Sequence, residues 1–492
     1  MKIEFQDAYD AHIDGENIKT DKYFPAYDAS NGEFLAQVAQ CTHIEVEKAV
    51  LAAQKAQLQW KQTTYEERSR LLNKLADLLE LNIERLAAID TMDIGRKYSE
   101  VIIDYHIAIS QYRYFAGAIL THEGFGRPNP NGYFIAKREP IGVVGQIIPW
   151  NVPAIMVALK VAPAIAAGNT VILKPDENAS ISTLEFAKLA AQIFPSGVIN
   201  VLPGFGEEVG AAITAHPKIS KLAFTGSPEV GRIIAIEGAK RLVPVSLELG
   251  GKSANIVFPD IDNIENVVDN ALFGALYCNG QSCLAGTRLF VHDDIYPKFI
   301  KTLLEAVSRV KVGNPFDSST ILSGLVNEQQ AARVQKYIDL GKRQAKLLAG
   351  GHRIKVDGFE KGYFFEPTIF EAEYDMAIAQ EEIFGPVLSV IRWKDQNELI
   401  RQANSTPYGL AAGIYTTNFA NALKTADALE AGNVWINQYF NLNSGCPFGG
   451  VKESGIGSEH CHETLNMYSH LKTITLQNEV SPAWFVSKDS SC

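Results

Sequence analysis

Leu222-Ala-Phe-Thr-Gly-Ser-Pro-Glu-Val-Gly-Arg232 reads as the end of a strand, a tight turn and the start of a helix. Ser227 suits the N-cap, and Pro228 suits the first helical position, where the N–H it lacks would have gone unpaired anyway. The remaining free amides and the positive end of such a helix can face a pyrophosphate. The stretch lacks GxGxxG spacing, so taken alone a plain capped helix is the commoner reading. Its neighbours decide the matter. Apolar β-type runs at 143–148, 171–174, 198–202 and 221–225 alternate with helical stretches such as 183–193. That alternation, sustained to about residue 250, predicts a parallel, doubly wound sheet and an α/β fold class. A second α/β stretch runs from 254 to about 437. Upstream, 44–117 has leucines at three- and four-residue steps and reads as a helical lead-in. A Gly/Pro/Asn-rich interruption at 124–132 precedes a β-type run at 133–138, and Pro140-Ile-Gly separates that run from 143–148.

A chain of 492 residues exceeds what one core usually supports, so two or three domains are expected. The net charge of −11 would repel polyphosphate surfaces, which sets nucleic acid and anionic membrane aside as partners. The most apolar stretch, 152–167, contains Lys160 and two prolines and is too short to span a bilayer. Cys41, Cys278, Cys283, Cys446, Cys461 and Cys492 form no CxxC pair, favouring a reducing compartment. The first residues resemble neither a signal nor a transit peptide, so the cytoplasm is expected.

Several residues invite chemistry. Lys174-Pro-Asp-Glu177 closes a strand, where open α/β sheets bind ligands; a carboxylate there can accept from ribose hydroxyls and would disfavour a 2′-phosphate, tilting the choice to NAD over NADP. An exposed ion pair is the bland alternative. Asn151, between Pro149 and Pro153, is an amide donor on stiffened backbone, suited to an oxyanion hole or simply a loop residue. Glu248, among apolar residues and followed by Gly250 and Gly251, should be desolvated and raised towards a useful general base, or be a structural strand-end acid. Cys283 follows Gly280-Gln-Ser, where backbone can approach a substrate closely; buried cysteine is more often inert packing, and Cys278 more so.

In order along the chain, PWN from 149, KPDE from 174, FTGSPEVG from 224, ELGGKS from 248, GQSC from 280, EEIFGPV from 381 and PFGGVKESGIG from 447 resemble the aldehyde dehydrogenase superfamily. The resemblance covers nearly the whole chain; only the tail with Pro482-Ala-Trp-Phe has no recognised counterpart. It implies a hydrolytic, non-acylating enzyme with a Rossmann-like doubly wound cofactor domain over 1–120 and 141–250, a second α/β catalytic domain over 251–450, and a β-arm for oligomerisation over 121–140 and 466–478. A homo-oligomer is expected, the tetramer favoured over the dimer.

By the same matching, Cys283 is the nucleophile, Asn151 and the Cys283 N–H hold the oxyanion, and Glu248 activates water. Lys160 and Glu459 stand at proton-relay positions. Cofactor contacts fall to Ile148, Pro149, Trp150, Lys174, Glu177, Gly206, Gly210, Phe224, Gly226, Ser227, Val230, Leu249, Glu382 and Phe384. A substrate tunnel is implied, lined by Val152, Ile155, Met156, Leu159, Tyr277, Ser282, Phe440, Leu442 and Phe448. Its apolar character suggests medium aliphatic or aromatic aldehydes. The segment Glu459-His-Cys-His-Glu463 is unusual for the family; His460 and His462 would point the same way only in an extended segment, and without further ligands at metal spacing no metal is expected. Three other readings stay open: a coenzyme A-acylating semialdehyde dehydrogenase, which would generally lack Glu248; a non-catalytic crystallin-like protein, which would have lost Cys283 or Glu248; and a cysteine hydrolase, which would want a histidine partner.

Overall fold

Apolar runs bounded by turns become buried parallel strands because both faces of a doubly wound sheet are covered by helices. In the computed structural model, which describes residues 3–480 and 485, five such strands lie in the order Val245–Glu248, Lys221–Thr225, Val143–Ile147, Thr170–Lys174 and Ile199–Val201, all mutually parallel. Gly455–Ile456 adds antiparallel to one edge, and Ala11–Ile13 with Glu16–Ile18 to the other, completing eight strands. The chain leaves Val143–Ile147 towards Thr170–Lys174 on one side and returns to Lys221–Thr225 on the other. The strand order therefore reverses beside Val143–Ile147, and the carboxyl ends of these strands open onto a crevice. Cys492 and the Pro482-Ala-Trp part of the tail lie outside the described residues.

The second sheet has seven strands, in the order Lys346–Ala349, Thr368–Glu371, Val387–Trp393, Arg288–His292, Ala254–Val257, Ala411–Tyr415 and Asn433–Ile436. Only its first strand runs antiparallel to its neighbour. The doubly wound α/β architecture and second α/β unit expected from the sequence are both present.

The helical lead-in resolves into His43–Trp60, Tyr65–Glu80, Ile83–Ile94 and Tyr98–Ala118. Thr42 and Glu45 form a reciprocal capping box on the first, and Thr64 caps the second. The helix Pro153–Ala166 packs in the largest core cluster, among apolar side chains of these helices.

Residues 124–132, a Gly/Pro/Asn-rich interruption within the stretch 121–140 that the resemblance gives to a β-arm, are themselves largely strand. Phe125–Asn129 pairs with Gly132–Pro140, which pairs in turn with Ser469–Gln477, forming an antiparallel three-stranded sheet. Pro128 is tolerated because Phe125–Asn129 is an outer strand, where an absent N–H breaks no ladder. The short N-terminal strands went unforeseen because two- and three-residue pairings carry no periodicity. Among the described residues no helix is long and apolar enough to cross a membrane.

Phe290 is fully buried in the second sheet, between Ile256 and Ile391 on the adjacent strands. Phe290→Ala is expected to destabilise that sheet by ~3–5 kcal/mol, seen as a lower urea midpoint; an unchanged midpoint would mean that the core closes over the lost ring.

Candidate active site

Three strand ends build the floor of the crevice. Val143–Ile147 delivers Pro149, Trp150 and Asn151; Lys221–Thr225 delivers Gly226 and Ser227; Val245–Glu248 ends on Glu248 itself, in register with Thr225. The opposite wall comes from the second sheet's side, with Cys283, Glu382 and Phe384. The cleft between them encloses about 680 Å³.

The loop carrying the thiol is held by strain and by close approach. After the helix Ile264–Leu276 the chain turns through Cys278 (φ 58°), Asn279 (φ 58°) and Gly280 (φ 71°), three successive left-handed residues. Asn279 fixes the turn by donating to the Gly324 carbonyl (2.8 Å) and accepting from Ser323 N–H (2.8 Å). A Cβ at Gly280 would sit 2.3 Å from the Gly385 carbonyl, and one at Gly251 would sit 2.3 Å from the Cys283 carbonyl, so both positions require glycine. The Asn151 side-chain amide donates to the Gln281 carbonyl at 2.9 Å, which ties it to this loop and leaves its second N–H available. Among the described residues the Cys283 N–H has no hydrogen-bond partner. Two donors therefore stand beside one thiol.

Burial, then the charges of Glu248 and Glu382, push the Cys283 thiol well above its ordinary range. Glu248 is 2% exposed and neither of its oxygens has a partner among the described residues. Desolvation lifts its carboxyl to about 8, with the Glu459 charge adding and Lys160 opposing. Lys160 and Glu459 meet in a buried ion pair.

The candidate cofactor residues mostly converge. Pro149, Trp150, Gly226, Ser227, Leu249, Glu382 and Phe384 line the cleft, with Trp150 edge-on to Phe384 at 5.5 Å. Ser227 caps its helix by accepting from Val230 N–H. Glu382 is held by the Gly251 N–H at 3.0 Å, and burial lifts its carboxyl to about 7. Gly250 leaves room for it, since a Cβ there would lie 2.6 Å from a Glu382 oxygen. Lys174 donates to the Pro175 carbonyl (2.9 Å) and reaches Glu177 at 3.5 Å; Gly210 faces Ile147 and Lys174. Ile148 and Phe224 are buried beneath the cleft, whereas Val230 is 43% exposed and Gly206 has open space around it.

The tunnel candidates form two facing groups. Val152, Ile155, Met156 and Leu159 belong to the first core with Tyr277 packed against it, while Phe440, Leu442 and Phe448 gather near Leu284 and Trp435. The Tyr277 and Phe440 rings meet at 5.2 Å and join the groups. The Ser282 hydroxyl is used within its own loop, accepting from Leu284 N–H. His460 is buried with its ring nitrogen 2.7 Å from the Gln111 amide, and His462 faces His122 instead; among the described residues no metal-ligating group of three assembles.

Sequence reasoning missed Arg96. Fully buried, it pairs with Asp104 and, at 3.4 Å, with Glu100, and donates to the Asn151 carbonyl at 3.1 Å. Glu100 accepts from Cys278 N–H and Asp104 from the Tyr277 hydroxyl, so one charge cluster supports both Asn151 and the thiol loop. Asp90, Asp93 and Arg96 within an apolar run were the available signal. Gln330 and Arg333 were also missed; they fix the Ile383, Phe384 and Glu382 carbonyls from the helix Glu328–Gln344, far away in sequence.

The profile of the Aldehyde dehydrogenase family matches residues 17–474. An aldehyde dehydrogenase of Emericella nidulans is 44% identical over 480 residues, which is 96% of each chain. The NAD+ complex of an aldehyde dehydrogenase from Bacillus cereus superposes with a TM-score of 0.94 at 39% identity, covering 97% of this chain and 100% of that one. An indole-3-acetaldehyde dehydrogenase of P. syringae, solved with NAD+ and IAA, gives a TM-score of 0.93 at 37% identity over 97% of each chain.

Arg96→Met would strand two buried carboxylates without their cation. The expected cost is ~3–5 kcal/mol in urea unfolding, with slower alkylation of Cys283 in the folded protein; wild-type values for both would detach the cluster from the site.

Proposed function

The chain belongs to the aldehyde dehydrogenase family, and on that premise we propose that it oxidises an aldehyde to the carboxylic acid with NAD+, through a covalent adduct on Cys283. The observation that carries this reading is the convergence of the Asn151 amide, the free Cys283 N–H and the Glu248 carboxyl on one thiol at the crevice of the doubly wound sheet. The Cys283 thiol, held protonated by burial, gives its proton to the neighbouring Glu248 carboxylate, which hands it on before hydrolysis. Attack of the resulting thiolate on the carbonyl carbon forms a C–S bond and moves charge onto oxygen, where the two N–H donors stabilise it. Bound NAD+ supplies the hydride acceptor that makes oxidation to the thioester possible. Glu248 then takes a proton from the attacking water, the C–S bond breaks, and the acid departs as the thiolate is restored. Glu459 and Lys160 relay that proton from Glu248.

NAD+ fits the residues present. Glu382, held by one oxygen, can accept from a ribose; the capped helix after Ser227 faces a pyrophosphate; Lys174 and Glu177 suit the second ribose, where Glu177 disfavours a 2′-phosphate. Solved relatives bind NAD+. The apolar walls of Val152, Ile155, Met156, Leu159, Tyr277, Phe440 and Leu442 favour medium aliphatic or aromatic aldehydes. Residues 1–120 and 141–250 act as the cofactor domain and 251–450 as the catalytic domain. The arm from 121–140 and 466–478 exposes Phe125, Tyr133, Leu471 and Leu476, which supports a homo-oligomer, a tetramer by the family's pattern. Free cysteines at 41, 278, 283, 446 and 461 suit a reducing cytoplasm.

An aldehyde panel followed by NADH formation tests the core of this reading. Activity should be clear with NAD+, much weaker with NADP+ and absent in Cys283→Ala; activity surviving that substitution overturns the assignment, and a preference for acetaldehyde over larger apolar aldehydes overturns the substrate class. Glu248→Gln should keep an NADH burst while steady turnover falls by roughly 10²–10⁴-fold. Because burial raises Glu248 to about 8, its base form is complete only above that pH. Turnover should fall by about tenfold per unit as pH drops below it; a rate flat from pH 6 to 9 (roughly two units below to one unit above the pH at which this base titrates) would exclude Glu248 as base.

A further inference from the structure

Parallel register places Lys221, Ala223 and Thr225 on the same face as Val144, Gln146, Ser246 and Glu248 of the flanking strands. The opposite face carries only apolar side chains from these strands, among them Leu222, Phe224 and Leu247. The polar face is therefore an anomaly inside a doubly wound sheet. It begins at Glu248, at the strand's carboxyl end, and finishes at Lys221, four residues back along the neighbouring strand or roughly 13 Å away.

Along that strip polar atoms are buried without partners among the described residues: both Glu248 oxygens, Thr225 Oγ1, Ser246 Oγ, Gln146 Oε1 and Glu459 Oε2. Buried polar atoms in such a run are ordinarily satisfied by internal water, which also conducts protons. Lys221 closes the strip. It is 1% exposed, and its ammonium lies 5.2 Å over the Tyr468 ring. The Gln146 amide donates to the Tyr468 hydroxyl (3.3 Å) and to the Lys160 carbonyl (2.6 Å), binding these elements together.

We propose that Lys221 is the terminal proton acceptor for Glu248, reached along this polar strip past the Lys160–Glu459 pair. The proposal rests on the hydrolytic reading of Cys283 and Glu248 above. In the step, the O–H bond of the Glu248 carboxylic acid breaks and an N–H bond forms on the neutral Lys221 amine; a carboxylate and an ammonium result, and nothing is oxidised or reduced. The groups facing Lys221 make it suitable. The one carboxylate near Lys221, Glu459, is already ion-paired with Lys160, so a full charge on the buried Lys221 is costly. Burial first, then the Lys160 charge, lower Lys221 to about 8 against the pull of Glu459. Glu248 is raised to the same region, so the transfer is close to balanced. The face of Tyr468 stabilises the ammonium once formed.

The test measures the NADH burst and the steady-state kcat from pH 6 to 9, roughly two units below to one unit above the expected titration, for Lys221→Met and Lys221→Arg. Arginine keeps a cation over Tyr468 but cannot give up its proton, so it separates relay from fixed charge. Both variants are expected to show the burst and to lose kcat on the order of tenfold at the alkaline end, with the deficit shrinking at acid pH where the native amine is already protonated. Wild-type kcat in Lys221→Arg, unchanged kcat in Lys221→Met, or a loss of burst and kcat in equal ratio at every pH would each overturn the relay and leave Lys221 a structural residue. Failure of the underlying reading looks different: activity then survives in Cys283→Ala.

Discussion

The hydrogen bond from the Asn151 amide to the Gln281 carbonyl is the joint on which the site depends. It ties the loop leaving the first sheet to the loop that bears Cys283, two segments contributed by different α/β units. Neither loop could hold its place alone. The thiol loop contains three consecutive left-handed residues, and Asn151 stands just ahead of a buried helix. Strain of this kind persists only where surroundings over-determine it, and here the Arg96 cluster does so from behind, gripping the Asn151 carbonyl and, through Glu100, the Cys278 N–H. The two loops are thus supported by a charge cluster in which Arg96 and Asp104 are fully buried and Glu100 is largely so.

Desolvation sets the chemistry of the cleft. Cys283, Glu248 and Glu382 are all pushed upward by burial first; the Glu382 charge adds to the rise of Glu248, and the charges of both carboxylates add to that of Cys283. A carboxyl lifted to about 8 is a far stronger base than one in water, and the same burial makes two N–H donors effective against a developing oxyanion. That burial is accompanied by a set of buried polar atoms along one sheet face that have no partner among the described residues, unusual in a region otherwise packed with aliphatic side chains.

Exposed and buried apolar surface divide the rest of the molecule. The central strands of the two sheets bury theirs, the helices still show single side chains such as Leu58, Ile233 and Phe419, and the three-stranded arm shows Phe125, Tyr133, Leu471 and Leu476 to solvent.

By itself the sequence determined the strand–helix alternation and the capped turn at Ser227 and singled out Cys283, Asn151 and Glu248 as candidates, because each is written in local periodicity, in residue type or in an ordered series of short motifs. At 124–132 local composition pointed to a break while the family resemblance pointed to a β-arm, and an edge strand forms there because pairing with Gly132–Pro140 outweighs local preference. Only the tertiary structure decided what those residues can do. Arg96 lies 55 positions from the Asn151 carbonyl it holds, and Gln330 lies 54 from the Phe384 carbonyl. The field felt by Glu248 comes from Glu459 and Lys160 on distant segments. Burial and charge act through space, and one-dimensional spacing does not contain them.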